Sequence, residues 1–233
     1  MQKLNVLVLG RNKKSVSFVN KEILKYPNLK ISKRPEIIIS LGGDGTFFYN
    51  ERKYPGIPKV LVRDDSICNL CSIYNLKNVK RVLENLNQRN FSLLEIRKIE
   101  VSCKNKKLTA VNDIVVRNKD QYEAIRFEVK LNNKKMNSIF IGDGIVACTV
   151  FGSSGYFNSI TNKSLSKGIG IAFNNVPGQN YVTLKQNTII DFVLVRGRAA
   201  VSADNSKKMF ILKKEDKIRI KKSTEKAFIV NLW

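Results

Sequence analysis

The segment with the strongest chemical signal is Gly42-Gly43-Asp44-Gly45-Thr46, which directly follows the apolar run from Ile37 to Leu41. Glycines in such a loop permit positive φ angles and let the backbone approach a ligand closely. Successive backbone N–H groups form an anion-binding concavity, to which a helix beginning after Thr46 would add its dipole. Because open α/β sheets bind ligands at the carboxyl ends of their strands, the pattern predicts a phosphate-binding loop.

The carboxylate of Asp44 lies in the middle of this loop and would be repelled by phosphate. That repulsion has to be offset by Mg²⁺, or used to take a proton from an attacking hydroxyl. Phosphoryl transfer needs a group of that kind and otherwise depends on positioning and charge stabilisation. The competing interpretation is a plain β-turn. The buried strand before the loop favours the chemical interpretation, although the Gly-Lys-Ser/Thr ending of a Walker A loop is missing.

Three polar segments further along the chain could bind a nucleoside. Asn112-Asp113 precedes an apolar strand and could hydrogen-bond a ribose diol, or form an Asx turn. Gly142 to Thr149 is followed by Gly152 to Tyr156, where small residues would let a base approach while Tyr156 stacks on it. A hairpin with a core tyrosine is the alternative there. Ser202 to Asn205 has the local pattern of an ordinary turn.

The chain contains no histidine, which excludes Ser-His-Asp and Cys-His catalysis and histidine metal ligands. Cys68 and Cys71 form one C-x-x-C pair, but no second pair follows at a zinc-site spacing. A redox pair, a disulfide and two buried small residues all remain open for them. General-base chemistry therefore falls to Asp, Glu, Lys, Tyr or Cys.

The formal charge of +23 over 233 residues points to an anionic partner or to a generally basic surface. Basic residues are spread along the chain and are denser from Lys207 to Lys226. No arginine-rich arm, zinc finger or RNP-like aromatic run accompanies them, so nucleic acid is not predicted as the main partner. Nucleotide substrates are polyanions too, and a positive field would attract them.

The pattern of apolar residues changes character near Phe91. Before it, buried strands at 5–9, 36–41 and 59–62 alternate with helices at 15–26 and 78–88, which predicts a Rossmann-like parallel α/β domain. After it, strands such as 125–131, 135–141, 181–184, 189–195 and 199–203 predict a mostly antiparallel β domain. We expect an α/β domain over 1–92 and a β-rich domain over 93–216. A strand at 217–221 and an apolar tail would then pack back on the first domain.

The apolar runs are too short to cross a bilayer. The N-terminal run from Lys3 to Gly10 lacks a signal cleavage site and predicts a first strand instead. We therefore expect a cytoplasmic protein without a membrane partner.

The order of these motifs resembles that of the NAD kinase family. GGDGT is shared with diacylglycerol, sphingosine and phosphofructokinase relatives, whereas the GDG and GSSGY block points to NAD kinase. The resemblance implies an α/β domain and a β domain with the active site between them. It also implies transfer of a phosphoryl group from ATP, with a divalent metal such as Mg²⁺, to the 2′-hydroxyl of the adenosine ribose of NAD. Members commonly form homodimers or homotetramers.

The resemblance also implies a role for each matching residue. Asp44 would accept the proton or orient the hydroxyl, and Mg²⁺ would be held through the phosphates and by Asp44. Phosphates would be held by Gly42, Gly43, Gly45 and Thr46. Contacts to NAD would come from Asn112, Asp113, Asp143, Ser154, Gly155, Tyr156, Ser159 and Asp204. Of these, Asp113 replaces the usual glutamate, and Asp204 would contact the nicotinamide half, across a subunit interface.

Several positions depart from the family pattern. The family run Thr-Pro-Thr-Gly-Ser-Thr-Ala-Tyr is here Thr-Val-Phe-Gly-Ser-Ser-Gly-Tyr over 149–156, and Ile141 replaces an arginine. These differences predict a divergent, compact member of archaeal type. They leave two other functions open: a lipid or sphingoid kinase of the same superfamily, or a catalytically silent protein that senses nucleotides or binds nucleic acid.

Overall fold

The computed structural model describes residues 2–64, 74–136 and 139–233 of the chain. The pair Cys68 and Cys71 lies outside these residues. The described chain divides into two compact units, residues 1–96 with 226–233 (unit 1) and residues 97–225 (unit 2). Within the described ranges, no helix is both long enough and apolar enough to cross a membrane.

Strands and helices alternate along unit 1. Its elements are β1 (Leu4–Gly10), α1 (Lys13–Ile23), β2 (Leu29–Ile31), β3 (Ile37–Leu41), α2 (Asp44–Lys53), β4 (Lys59–Val62) and α3 (Val79–Gln88). The four strands form a parallel sheet in the order β2-β1-β3-β4. Every residue of β3 and β4 is buried, as expected for parallel strands. The predicted parallel α/β fold is confirmed.

The helices of unit 1 form where local signals support them. The side chain of Asn12 caps α1, accepting hydrogen bonds from the backbone N–H of Lys14 at 3.0 Å and of Ser15 at 3.4 Å, which supplies partners to the open end of the helix. In α3, four apolar residues at helical spacing are buried, which gives the helix one face for the core. They are Val79, Val82, Leu83 and Leu86.

Two long strands, β5 (Phe91–Cys103) and β17 (Lys217–Leu232), belong to both units. Unit 2 contains in addition β6 (Lys106–Ala110), β7 (Asp113–Asn118), β8 (Ile125–Leu131), β9 (Lys134–Lys135), β10 (Phe140–Gly142), β11 (Gly144–Thr149), α4 (Tyr156–Thr161), β12 (Ile169–Asn174), β13 (Tyr181–Leu184), β14 (Ile190–Arg196), β15 (Ala199–Ala203) and β16 (Met209–Leu212). One antiparallel sheet has the order β13-β12-β11-β7-β15-β16, and β10-β8-β14-β17 form the other. The predicted antiparallel β character is confirmed.

The core of unit 2 lies between its two sheets. Phe127 stacks on Phe192 within one sheet, with ring centroids 4.8 Å apart. Phe140 of that sheet meets Phe173 of the other at 4.9 Å. Ring contacts of this kind contribute beyond the apolar area they bury, and they give the polar segments of unit 2 a rigid support.

Two strands differ from their predicted extents. The strand predicted at 217–221 continues to Leu232, because the apolar tail extends the same strand and Ile229 pairs in parallel with Lys59 of β4. The strand predicted at 135–141 is replaced by β9 and β10. Asn132 and Asn133 both have positive φ, and this tight turn folds β9 back on β8.

Helix α2 is held in place by buried polar contacts. The amide of Asn50 donates to the Ser40 hydroxyl of β3 at 2.9 Å. The ammonium of Lys59 on β4 pairs with Glu51, and the side chains are 0% and 3% exposed. Lys59 also donates to the carbonyl of Tyr54 at 2.6 Å. These contacts fix the helix whose first residue is Asp44.

The buried pair generates a prediction. Lys59→Met leaves the Glu51 carboxylate buried without its cation, and we expect a loss of about 3–5 kcal/mol in the free energy of unfolding. The double variant Lys59→Met/Glu51→Leu should recover most of that loss. Urea denaturation followed by circular dichroism measures both.

The control is Lys135→Met, which breaks the more exposed pair of Lys135 with Glu128 (42% and 21% exposed). A pair of that kind contributes at most about 1 kcal/mol. Equal losses in the free energy of unfolding for the two single variants would contradict the larger contribution that we assign to the buried pair.

Candidate active site

The loop after β3 has a conformation that requires glycine at its first position. Gly42 has φ +146°, a region that residues with a side chain rarely adopt. A Cβ atom there would lie 2.3 Å from the hydroxyl oxygen of Thr46. Gly42 therefore lets the chain turn sharply and lets the Thr46 side chain fold back beneath the loop.

Helix α2 begins at Asp44, three residues earlier than the sequence pattern predicts. Gly43 is the N-cap residue, and no side chain caps the helix. The Gly43 carbonyl accepts from the N–H groups of Thr46 at 2.9 Å and Phe47 at 3.3 Å. Asp44 is thus the first helical residue, where the positive end of the helix dipole stabilises a carboxylate.

The loop lines a cavity of about 500 Å³ together with Arg11, Asn12, Leu41 and Asp64. The cavity lies at the carboxyl ends of β1, β3 and β4. Since β1 has β2 on one side and β3 on the other, the chain leaves β1 and β3 in opposite directions. A crevice at such a switch point is where open α/β sheets bind ligands.

Two cavity residues, Arg11 and Asp64, were not predicted from the sequence. Arg11 follows β1 directly, and Asp64 is the second residue after β4. That position was the available signal, because the carboxyl ends of neighbouring parallel strands meet at one edge. Arg11 is exposed and brings a permanent positive charge to a cavity that also holds two carboxylates.

In unit 2, Asn112 and Asp113 lie at the start of β7 and are tied to Asp204. The carboxylate of Asp204 accepts hydrogen bonds from the backbone N–H groups of Val111 at 2.6 Å, Asn112 at 2.7 Å and Asp113 at 3.3 Å. The backbone N–H of Asp204 donates in return to the Asp113 carbonyl at 3.1 Å. The side-chain oxygen Oδ1 of Asn112 is buried and has no hydrogen-bond partner among the described residues.

The Asp113 carboxyl is buried beside a second carboxylate. Burial, followed by the negative charge of Asp204, raises the pKa of Asp113 from 3.8 to about 7. Burial also raises the pKa of the neighbouring Cys148 thiol to about 12, so this cysteine is inert as a nucleophile at neutral pH. Asp113 therefore keeps its proton to a much higher pH than an ordinary aspartate, and in that form it can donate a hydrogen bond.

The Gly142-Asp143-Gly144 segment forms the tight turn between β10 and β11. Gly144 has φ +127°, and a Cβ there would lie 2.0 Å from the Val116 carbonyl oxygen. The backbone N–H of Asp143 donates to the Asn174 carbonyl at 2.9 Å. The Asp143 carboxylate is half-buried and accepts from the Asn175 amide at 3.5 Å.

The segment after β11 packs directly on Asn112. It forms one 3-10 turn, Phe151–Ser154, before α4. The Thr149 hydroxyl donates to the Val111 carbonyl at 2.6 Å and accepts from the Gly152 N–H at 3.0 Å. A Cβ on Gly152 would lie 2.4 Å from the backbone of Asn112. Glycine is required here because the two backbones touch.

The other residues of this segment that were predicted to bind NAD differ in their exposure and in their hydrogen bonds. Ser154 and Gly155 are exposed, and Tyr156 is half-buried. The Tyr156 hydroxyl accepts from the Asn174 amide at 3.4 Å, which links it to the turn of Asp143. The Ser159 hydroxyl donates to the Tyr156 carbonyl within its own helix at 2.8 Å, so this bond occupies its proton.

No family model matches the chain, but individual curated proteins are similar in sequence. An NAD kinase of Rickettsia peacockii is 26% identical over 153 residues, which cover 64% of this chain and 59% of that protein. An NAD kinase of Sulfurisphaera tokodaii is 27% identical over 209 residues, covering 85% and 82%. The chain spans 59% of the length of the Rickettsia protein that it matches.

Solved structures with a similar fold include two kinases. Yeast NADH kinase complexed with NADH superposes with a TM-score of 0.86 at 14% identity, covering 100% of this chain and 84% of that one. An NAD kinase from Archaeoglobus fulgidus in complex with ATP gives a TM-score of 0.82 at 17% identity, covering 98% and 94%. At these identities the likeness shows the shared fold.

Two glycines of the 42–46 loop give opposite predictions for stability. Gly42→Ala forces a side chain into a positive-φ position and against Thr46, and we expect it to cost more than about 1 kcal/mol. Gly45 lies in the first turn of α2, and a Cβ atom there would have no neighbouring atom within 4 Å. Gly45→Ala should therefore be neutral or stabilise by up to about 1 kcal/mol. Urea denaturation of both variants measures this, and a shift of both in one direction would contradict the loop conformation.

The raised pKa of Asp113 predicts a dependence of stability on pH. Unfolding exposes a carboxyl of ordinary pKa, 3.8, whereas the folded state holds the proton to about pH 7. The wild type therefore loses stability as the pH rises through this range. Asp113→Asn cannot ionise, so the free energy of unfolding of the variant minus that of the wild type should rise from pH 4 to pH 7. A difference that stays flat would show that Asp113 has an ordinary pKa.

Proposed function

We propose that the chain, which is similar to NAD kinases in sequence and in fold, transfers the terminal phosphoryl group of ATP to the 2′-hydroxyl of the adenosine ribose of NAD, giving NADP. One observation carries the proposal. The carboxylate of Asp44 lies at the first residue of a helix, inside a glycine loop, in a cavity at the switch point of a parallel sheet. Such a cavity suits phosphates, and Asp44 supplies a base within it.

The donor phosphates would be held by the loop and by Arg11. The N-terminal turn of α2 offers its dipole, and Gly43 leaves the helix end without a side-chain cap. Gly45 has open space above its Cα, so a phosphate can reach the backbone there. Arg11 adds a cation suited to phosphate oxygens. We assign Gly42 and Thr46 to the shape of this cradle.

Asp44 would act on the acceptor hydroxyl. The ribose 2′-oxygen forms a bond to the γ-phosphorus while the bond from that phosphorus to the β–γ bridging oxygen breaks, and ADP leaves. The hydroxyl proton passes to the Asp44 carboxylate. In phosphoryl transfer most of the remaining rate enhancement comes from positioning and from charge stabilisation, which is the part we assign to the loop, α2 and Arg11.

Unit 2 would bind NAD through the residues that the motifs identify. The side-chain oxygen of Asn112 is buried and has no hydrogen-bond partner among the described residues, and a protonated Asp113 is a hydrogen-bond donor, so we assign both to the ribose diol. Tyr156 presents an aromatic face to a base. The proposed contacts also include Asp143, Ser154, Gly155 and Ser159, the last through its oxygen lone pairs.

A divalent cation such as Mg²⁺ fits the donor set of the cavity in unit 1. Mg²⁺ is commonly bound by one or two carboxylates together with substrate phosphates, and Asp44 and Asp64 both line this cavity. The described residues contain no cluster of three or more metal-ligating side chains. When bound, it would neutralise charge on the transferring phosphoryl group.

We further propose a homodimer or homotetramer that works in the cytoplasm, where ATP and NAD are available. The structurally similar proteins were solved with NADH and with ATP, which supports these two ligand classes for this fold. The lipid-kinase alternative has no comparable support from the similar proteins.

The decisive test is Asp44→Asn in a coupled assay. We expect purified protein with NAD, ATP and Mg²⁺ to form NADP, detected with an NADP-specific dehydrogenase. Removing a general base typically lowers the rate about 10²–10⁴-fold, so the variant should lose most turnover while its circular dichroism spectrum is unchanged.

Glu215→Gln makes the same carboxyl-to-amide change at a side chain that is 83% exposed, and it should keep the wild-type rate. Turnover by Asp44→Asn at the wild-type rate would remove the assigned role of Asp44. If the wild type formed no NADP with ATP, another nucleoside triphosphate or polyphosphate, the proposed function itself would fall.

A further inference from the structure

Two segments of unit 2 that are distant in sequence meet at the Asp204 carboxylate: the turn after β15 and the start of β7. The carboxylate accepts hydrogen bonds from residues 111–113, which lie 91 to 93 residues away in the chain. A contact between such distant positions is formed by the fold and not by local turn chemistry.

Both oxygens of Asp204 are engaged in these bonds. One accepts from Val111, and the other accepts from Asn112 and Asp113. The residue is 4% exposed, which leaves it little surface for a ligand. The resemblance to NAD kinases implies instead that Asp204 contacts the nicotinamide half of NAD directly.

The three N–H groups need this carboxylate. They lie at the edge where β7 begins, before regular sheet pairing can satisfy them, and a buried N–H without a partner is costly. The opposite side of the same backbone is held by Thr149, whose N–H donates to the Asn112 carbonyl at 2.9 Å, and by the close approach of Gly152.

We propose that Asp204 is a positioning residue, which fixes the backbone of Asn112 and Asp113 so that their side chains meet the substrate, and that it does not itself contact NAD. The inference rests on the proposed function, because Asn112 and Asp113 are there assigned to the ribose. It replaces a direct ligand contact by a hydrogen-bonded support.

Asp204 also influences the protonation of Asp113. Within the described residues, the influences that raise the pKa of Asp113 are burial and the charge of Asp204, and the nearby Cys148 thiol is uncharged at neutral pH. The same carboxylate that fixes the backbone thereby helps to keep Asp113 a hydrogen-bond donor. Loss of the Asp204 charge should lower the pKa of Asp113.

The test is Asp204→Asn, with Asp191→Asn as the matched control. Asp191 is another buried aspartate of unit 2, 1% exposed and paired with Arg219 and Lys217, but it does not touch residues 111–113 in any described hydrogen bond. Steady-state kinetics with varied NAD and varied ATP are measured for both. We expect Asp204→Asn to raise KM for NAD about tenfold or more, as the loss of an oriented polar contact implies, and to leave KM for ATP within about twofold.

A second readout follows the Asp113 carboxyl by ¹³C NMR, with Asp113→Asn for assignment. Titration of Asp113 should move to lower pH in Asp204→Asn and stay in place in Asp191→Asn. A purely structural defect would destabilise both variants without separating these readouts. Equal KM for NAD in Asp204→Asn and wild type would overturn the proposal, as would an unchanged Asp113 titration.

Wild-type protein provides a measurement that does not depend on a variant's folding. Addition of NAD should shift the side-chain amide signals of Asn112 and the carboxyl signal of Asp113 more than the carboxyl signal of Asp204. The largest shift at Asp204 would indicate direct contact and overturn the proposal. If the wild type did not bind NAD at all, the proposed function would fail, and this inference would fail with it. If NAD bound without these shifts, the inference alone would be overturned.

Discussion

Under the proposed function, the positive end of helix α2 has to stabilise a carboxylate and still attract phosphates at the same place. Asp44 is the first residue of that helix, where the helix dipole contributes about 0.3–1 kcal/mol to holding a negative charge. The uncapped backbone of the first turn and the guanidinium of Arg11 supply the attraction that phosphates need. Much of unit 1 serves to keep this helix end fixed. Gly42 allows the turn, and the Asn50–Ser40 and Lys59–Glu51 contacts hold the helix against the sheet.

Unit 2 also buries carboxyl groups close together, and there the repulsion is relieved because one of them keeps its proton. Two carboxylates, Asp113 and Asp204, are buried within one small region, and both cannot be charged at low cost. Asp204 accepts from three backbone donors, while burial and the charge of Asp204 raise the pKa of Asp113 to about 7. Under the proposed function, the protonated Asp113 would be the donor and Asn112 the acceptor for a pair of sugar hydroxyls.

Local sequence patterns were sufficient to predict the structure wherever a segment determines its own conformation. The buried strand before GGDGT, the glycines of the loop and the alternation of strands and helices all follow from neighbouring residues. The start of α2 was placed too late, because a glycine-rich loop hides that Gly43 can act as an N-cap. The contacts of Asp204 could not be predicted from local sequence patterns. Its positive φ and that of Asn205 are those of the ordinary turn that the sequence indicated, while its hydrogen-bond partners lie more than ninety residues away.

The departures from the family pattern fall where other contacts already provide the conformation. Val150 replaces the usual proline, yet its φ of −56° is within the range that proline imposes. The replacement makes the unfolded chain more flexible, which lowers the free energy of unfolding by about 0.4–1 kcal/mol. It leaves the shape of the turn unchanged.

Thr149 and Gly152 are the residues of that turn that hold its contact with Asn112. The Thr149 hydroxyl bridges the Val111 carbonyl and the Gly152 N–H, and Gly152 touches the backbone of Asn112. Both match the family run. The turn can thus diverge in sequence at Val150 and Phe151 while its contact with Asn112 is kept, because hydrogen bonds and close packing, and not the proline ring, determine where that contact lies.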